Sequence, residues 1–386
     1  MTAASTAAIE ALLARDFAAE RAVRLHGIRA RLEGATRAVV FGAGALGTTV
    51  ASRLATLGLP TVAYADNDPA RRCSDVGGVP VMSPAAAIER AGDALWVIGV
   101  YTNAPLRRQC RDLGVRFVTH AELCWAHAQA LLPFYAVDVP ERVLMAAPAV
   151  LAAGALWADD ESRREYLGQL SWRISLDYEA LPPHRPPAEL YFPDDLVSLS
   201  ADEVFVDCGA FTGDTVEDFL RRSSSRFGRI VAIEPDPHNA RLLRARLARL
   251  RRVHGRPMNA RRTALGATRG RVAFDAAGTV ASSAGTGLVD VRVAPLDDVL
   301  AGVAPTYIKI DVEGGERELL AGATRVFGSR PRPVAAVCLY HRPDDLWEIP
   351  LALHAMAPDH RLYLRRYSDE CWESVCYAIP PERLAV

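Results

Sequence analysis

The chain has 386 residues, a formal net charge of −1, 50% hydrophobic and 24% charged residues. That length accommodates two domains with sizeable cores, and the near-neutral charge argues against a generally basic nucleic-acid binder. No run reaches the roughly 18 apolar residues of a membrane span, and seven dispersed cysteines without a Cys-x-x-Cys spacing read as free thiols of a cytoplasmic protein.

In chain order, residues 1–35 come first. Ile9, Leu12, Leu13 and Phe17 recur there at helical spacing in an Ala-rich background, which predicts an amphipathic helix. Residues 36–125 predict a βαβ domain with strands at Ala38–Phe41, Thr61–Ala65, Val79–Met82, Leu95–Val100 and Val115–Val118. Gly42, Gly44 and Gly47 form a Gly-x-Gly-x-x-Gly loop after the first strand, and Asp66 follows 19 residues after Gly47. Such a loop suits a dinucleotide. It serves equally as a scaffold for dimerisation or docking. Residues 101–125 offer no acid–base pair for hydride transfer, so NAD ranks below a nucleotide-sugar or a scaffold role.

Residues 126–198 have helical periodicity and then Pro182, Pro183, Pro186 and Pro187, the composition of a connector. A second α/β domain is expected over 199–386. Its strands are expected at Val204–Asp207, Ile230–Glu234, Arg271–Phe274, Val289–Val293, Tyr307–Asp311 and Val334–Leu339, with a closing hairpin of Leu362–Arg366 and Val375–Ile379.

The most telling stretch opens this second domain. The strand ending at Asp207 runs into Cys-Gly209-Ala210-Phe211-Thr-Gly213-Asp214-Thr215, and the next strand ends in Glu234-Pro235-Asp236. Strand, tight turn, helix and a second strand ending in an acid is how an α/β sheet holds a nucleoside. There is no pyrophosphate fingerprint here and no Lys for a triphosphate. An acid inside the turn repels phosphate and suits a cation. S-adenosylmethionine, with a ribose and a sulfonium, fits better than NAD. Glu234 would accept the ribose hydroxyls, and Asp207 would receive the cationic amino-acid end or order the loop. A plain glycine turn with a capping acid explains either half alone.

Two further segments carry charge onto buried strands. In Tyr307-Ile-Lys309-Ile-Asp311-Val-Glu313-Gly-Gly-Glu316, alternation places Lys309, Asp311 and Glu313 on one side. Buried charges need partners or a ligand. An internal Lys–Asp pair is one account, and a polar site at the strand's carboxyl end is the other. His341, in Leu339-Tyr340-His341, falls just past the neighbouring strand.

Taken together, Val206–Thr215, Ala232–Asp236, Ile308–Glu316 with Leu320-Ala-Gly322, and Tyr340-His341 resemble the FkbM-type methyltransferase family over about residues 190–380. The resemblance implies a seven-stranded class I methyltransferase sheet and S-adenosylmethionine as donor. It implies transfer to a hydroxyl of a sugar, polysaccharide or polyketide-like metabolite. Family members often end the later strand in Glu-x-His, where this chain has Leu339-Tyr-His341. On this reading His341 is the base, with Asp311 orienting it or serving instead. No metal is assigned. A divalent ion on Asp311 and neighbouring acids ranks lower, because no full oxygen set is visible. Val40-Phe-Gly-Ala-Gly44, Ala63-Tyr-Ala-Asp66-Asn-Asp68 and Gly78–Ser83 resemble the N-terminal Rossmann-type domain of bacterial sugar acyltransferases, which implies nucleotide-sugar binding. The rival readings are an NAD-dependent nucleotide-sugar oxidoreductase and a non-catalytic nucleotide-binding protein.

Overall fold

A computed structural model describes residues 3–274 and 289–384. The first sheet contains β1 (Ala38–Phe41), β2 (Thr61–Ala65), β3 (Asp75–Val76), β4 (Val79–Met82), β5 (Leu95–Ile98) and β6 (Phe117–Thr119), in the order β3-β4-β2-β1-β5-β6. Its neighbours pair in parallel except for the small β3–β4 hairpin. Continuous apolar runs such as Ala-Val-Val-Phe form these strands because helices cover both faces.

The second sheet contains β7 (Val204–Cys208), β8 (Arg229–Ile233), β9 (Met258–Arg261), β13 (Tyr307–Ile310), β14 (Val334–Cys338), β15 (Arg361–Arg366) and β16 (Ser374–Ile379). Between them in sequence lie β10 (Ala264–Leu265), β11 (Gly270–Phe274) and β12 (Val289–Ala294), which form a separate small sheet. The large sheet is ordered β15-β16-β14-β13-β7-β8-β9, with β16 antiparallel to both neighbours. This is the class I methyltransferase arrangement expected from the sequence. Its switch point lies between β7 and β13, where chain order reverses, and ligands of open α/β sheets sit beyond such strand ends.

Three expectations need correction. The strands at Arg271–Phe274 and Val289–Val293 do not join the large sheet. They pair with each other, and the seventh strand is β9, Met-Asn-Ala-Arg. An edge strand is only half covered, so it lacks the apolar run that marks a central one. The N-terminal helix is two helices, Ala3–Leu13 and Phe17–Leu32, broken where the Asp16 carboxylate accepts a hydrogen bond from the Ala18 amide at 3.2 Å. The connector is no free spacer. Its helix Asp160–Ser175 packs on β15, with Arg365 paired to Asp159 and Arg366 to Glu165, each at 2.6 Å.

One apolar core runs through the whole molecule, from Val40 and Leu54 in the first domain, past Phe134 and Trp172, to Phe205 and Tyr307. Alternation along β13 decides what faces it. Tyr307 points into this core and Ile308 and Ile310 into the core on the other face, leaving Lys309 on the Tyr307 side. Polar contacts lock the domains as well. Buried Glu370 accepts hydrogen bonds from Asn103 at 2.8 Å and Tyr178 at 2.9 Å, and Asp369 accepts one from the Ala104 amide at 2.7 Å. The 101–104 turn of the first domain is thereby held against the β15–β16 loop.

Candidate active site

Beyond β7 the chain turns sharply through Gly209, at φ +83°. A Cβ there would lie 1.7 Å from the Asp311 carbonyl oxygen, so only glycine lets the two strand ends approach. Phe211 also has a left-handed backbone, at φ +46°. The Glu234 carboxylate, just past β8, accepts hydrogen bonds from the Phe211 and Asp236 amides, both at 2.9 Å. Burial pushes its pKa up to about 7, although both amides oppose the shift. These residues form the floor of a cavity of about 880 Å³, whose wall includes Gly209, Phe211, Asp214, Thr215, Glu234 and Pro235.

Four expected cofactor contacts do not line that cavity. Asp207 is fully buried beneath it, 3.3 Å from the Lys309 ammonium. Asp236 instead caps the helix Pro237–His254, accepting from the His238 and Asn239 amides. Ala210 is buried in the core, and Gly213 carries the turn into the helix Asp214–Arg222 at φ +95°.

Lys309 holds the site's centre. Its Nζ donates to the Gly209 carbonyl at 2.7 Å and lies 3.5 Å from Asp311. Burial works against its charge, but Asp207 and Asp311 outweigh it and hold the pKa above the ordinary lysine value. Burial lifts Asp207 to about 6, with Lys309 resisting. The internal Lys–Asp pair and the polar strand-end site are therefore the same construction.

At the far end of the cavity stands His341, its side chain 1% exposed. Nδ1 lies 2.8 Å from Oε1 of buried Glu316. Nε2 lies 3.4 Å from Asp311 Oδ1 and 3.7 Å from Glu313 Oε2. Tyr191 donates its hydroxyl to the other Asp311 oxygen at 2.8 Å. Burial lowers the imidazole's pKa, but Glu316, Asp311 and Glu313 together raise it to about 10. Glu313 sits at φ +54°, and burial pushes its carboxyl up to about 7 against the pull of His341. The expected base, His341, is thus ringed by three carboxylates.

Sequence reasoning missed the opposite wall. Tyr101 from the first domain, Tyr135 from the connector and Trp372 from the β15–β16 loop line the same cavity. Their rings meet edge to face, Tyr101–Trp372 at 4.7 Å and Tyr135–Trp372 at 5.4 Å between centroids. Tyr101 and Tyr135 carry no pattern signal. Glu316 lies within the Ile308–Glu316 motif and Trp372 between the two hairpin strands, where nothing in the local sequence marks a role for either.

Gly42, Gly44, Gly47 and Asp66 lie outside this cavity. They repeat its floor in the first domain, where the Asp66 carboxylate accepts from the Ala43 and Asp68 amides, both at 2.9 Å. A Cβ on Gly47 would meet the Gly42 carbonyl at 1.9 Å.

The large sheet and a carboxylate-tied glycine turn at its switch point define a class I methyltransferase domain. Residues 207–371 match the family model described as the methyltransferase FkbM domain. A crystal structure of methyltransferase FkbM from Methylobacillus flagellatus KT is similar over nearly the whole length. It has 25% identity and a TM-score of 0.73, covering 97% of this chain and 98% of that one. No curated protein matches the sequence. No helix among the described residues is long and apolar enough to cross a membrane.

Proposed function

We propose that the protein is an S-adenosylmethionine-dependent O-methyltransferase acting on a hydroxyl of a sugar or related polyhydroxylated metabolite. The observation that carries this reading is that Glu234 and the Asp311–Glu313–His341 cluster open into one cavity. The floor suits the cofactor. Glu234 offers a carboxylate to ribose hydroxyls, glycine at 209 lets a ligand approach the backbone, and nothing in the turn is built for phosphate. S-adenosylmethionine, when bound, supplies an electrophilic sulfonium methyl.

The chain's own residues then position and deprotonate the acceptor. An acceptor oxygen between the floor and the cluster lies beside Asp311 and Glu313. The sulfonium would leave with the electron pair of the broken C–S bond, and a carboxylate lining the cavity would take the hydroxyl proton. Most of the acceleration comes from holding oxygen and methyl in line. Tyr101, Tyr135 and Trp372 present aromatic faces and edges, which suit the apolar CH faces of a sugar ring and exclude water. For the first domain, the reading remains a nucleotide-sugar dock. Its glycine loop starts the helix Ala45–Thr56, and Arg71 reaches over it to donate to the Ala43 carbonyl at 3.1 Å.

The test is product mass spectrometry with a panel of sugars, nucleotide-sugars and polyhydroxylated metabolites, following the demethylated cofactor. A mass gain of one methyl on an acceptor hydroxyl supports the reading. Cofactor binding without transfer to any hydroxyl of the panel would count against it.

A further inference from the structure

The imidazole of His341 is aimed at the cavity with one nitrogen already committed. Nδ1 lies 2.8 Å from Glu316 Oε1, and both side chains are 1% exposed. A carboxylate on one ring nitrogen fixes the tautomer and turns the other nitrogen outward as a ligand. Here that other nitrogen, Nε2, has no hydrogen-bond partner among the described residues, and neither has Asp311 Oδ1. The second Asp311 oxygen is taken by the Tyr191 hydroxyl, which fixes the carboxylate's orientation. Glu313 reaches the same point from a left-handed backbone.

We propose that His341 Nε2, Asp311 Oδ1 and Glu313 Oε2 form a binding site for one divalent cation of the Mg2+ or Mn2+ type. Ligand atoms held at about 2.1 Å around one ion stand roughly 3 to 4.2 Å apart. The three atoms here all lie within 4.8 Å of one another, so side-chain rotation closes the set. Two carboxylates are hard donors and the imidazole a borderline one, a mixed set that suits Mn2+ better than Mg2+, and they leave about half of an octahedral shell open toward the cavity. Charge balance favours the ion. Asp311, Glu313, Glu316 and Glu373 converge on this end, while Lys309 is shared with Asp207 and Arg342 is paired with Glu318. The buried His341 nitrogen, with the Glu316 carboxylate behind it, sets this cluster apart from a solvated group of acids. The site stands on geometry. Only its role, polarising and placing the acceptor hydroxyl, rests on the methyl-transfer reading.

The experiment uses the full chain, stripped of metal by a chelator and titrated with Mn2+ by calorimetry and by electron paramagnetic resonance of the free ion. One site per chain is expected, with or without cofactor. His341→Ala, Asp311→Asn and Glu316→Gln should each weaken it by about 10- to 100-fold, the usual effect of losing a ligand's support or the ligand itself. Glu313→Asn should do the same while tolerating the left-handed backbone. Circular dichroism selects the variants that keep the wild-type fold. Absence of stoichiometric Mn2+ binding by the folded wild type, or equal binding by folded ligand variants, overturns the site. Failure of the methyl-transfer reading would appear instead as absent cofactor binding with the Mn2+ titration intact.

Discussion

The hydroxyl of Tyr191 donates to Asp311 Oδ2 at 2.8 Å, so a residue of the Pro-rich connector orients a carboxylate at the end of β13. Tyr191 is buried, and its backbone carbonyl accepts from the Tyr307 hydroxyl on the same strand. Tyr191→Phe removes the donor and keeps the ring. A hydrogen bond to a charged group contributes about 1.5–3 kcal/mol. The variant should lose up to that much stability in denaturant titration and turn over about tenfold more slowly, about 1.4 kcal/mol of barrier. An unchanged rate with an unchanged midpoint would show that Asp311 needs no such support.

On the proposed reading, Glu234 should set a pH dependence for cofactor binding. Its folded pKa is raised from 4.5 to about 7 by burial, so the neutral form is the favoured one in the folded chain. Stability from this group is therefore full below about 4.5 and lost as pH rises through about 7. Ribose hydroxyls need the ionised acceptor. Affinity for S-adenosylmethionine or its demethylated product should accordingly fall between pH 8 and pH 6. Glu234→Ala should bind more weakly by about 1.5–3 kcal/mol and show a flatter pH profile. Calorimetry across that range decides; equal affinity at both pH values, or in the variant, removes Glu234 from the site.

Lys309 is 2% exposed and neutralises two carboxylates from beneath the cavity. Lys309→Met conserves volume and leaves Asp207 without its cation. Breaking a buried pair from one side costs about 3–5 kcal/mol. The midpoint of chemical unfolding should drop accordingly. The double variant Lys309→Met with Asp207→Asn should recover part of the loss, and no recovery would mean that the Gly209 carbonyl contact matters more than the charge pair.

The aromatic wall predicts a split between acceptor and cofactor. Tyr101 is 40% exposed and belongs to the first domain, so Tyr101→Ala disturbs little core. Acceptor KM should rise several-fold, in line with about 0.5–1.5 kcal/mol for an aromatic contact. Cofactor affinity should stay as it is. A changed cofactor affinity, measured by the same calorimetry, would place Tyr101 against the donor.

Local chemistry was legible in the chain. Ala38–Phe41, Thr61–Ala65 and Val79–Met82 were read with the bounds they have, because doubly covered strands must be apolar throughout. Gly209 and Glu234 were legible for a similar reason: a backbone approach that only glycine permits, and an acid at a strand end, leave fixed spacings. Alternation along β13 correctly placed Lys309 and Asp311 together. Tertiary structure alone decided the rest. Whether Asp207 faces a ligand or a buried ammonium depends on the register of β13 against β7, a pairing about 100 residues apart in sequence. The half-exposed edge strand β9 has no apolar run to betray it. The aromatic wall joins positions 101, 135 and 372, and His341 finds Glu316 across a strand pair. Such contacts have no period along the chain, because they form only when separate elements are packed onto one sheet edge.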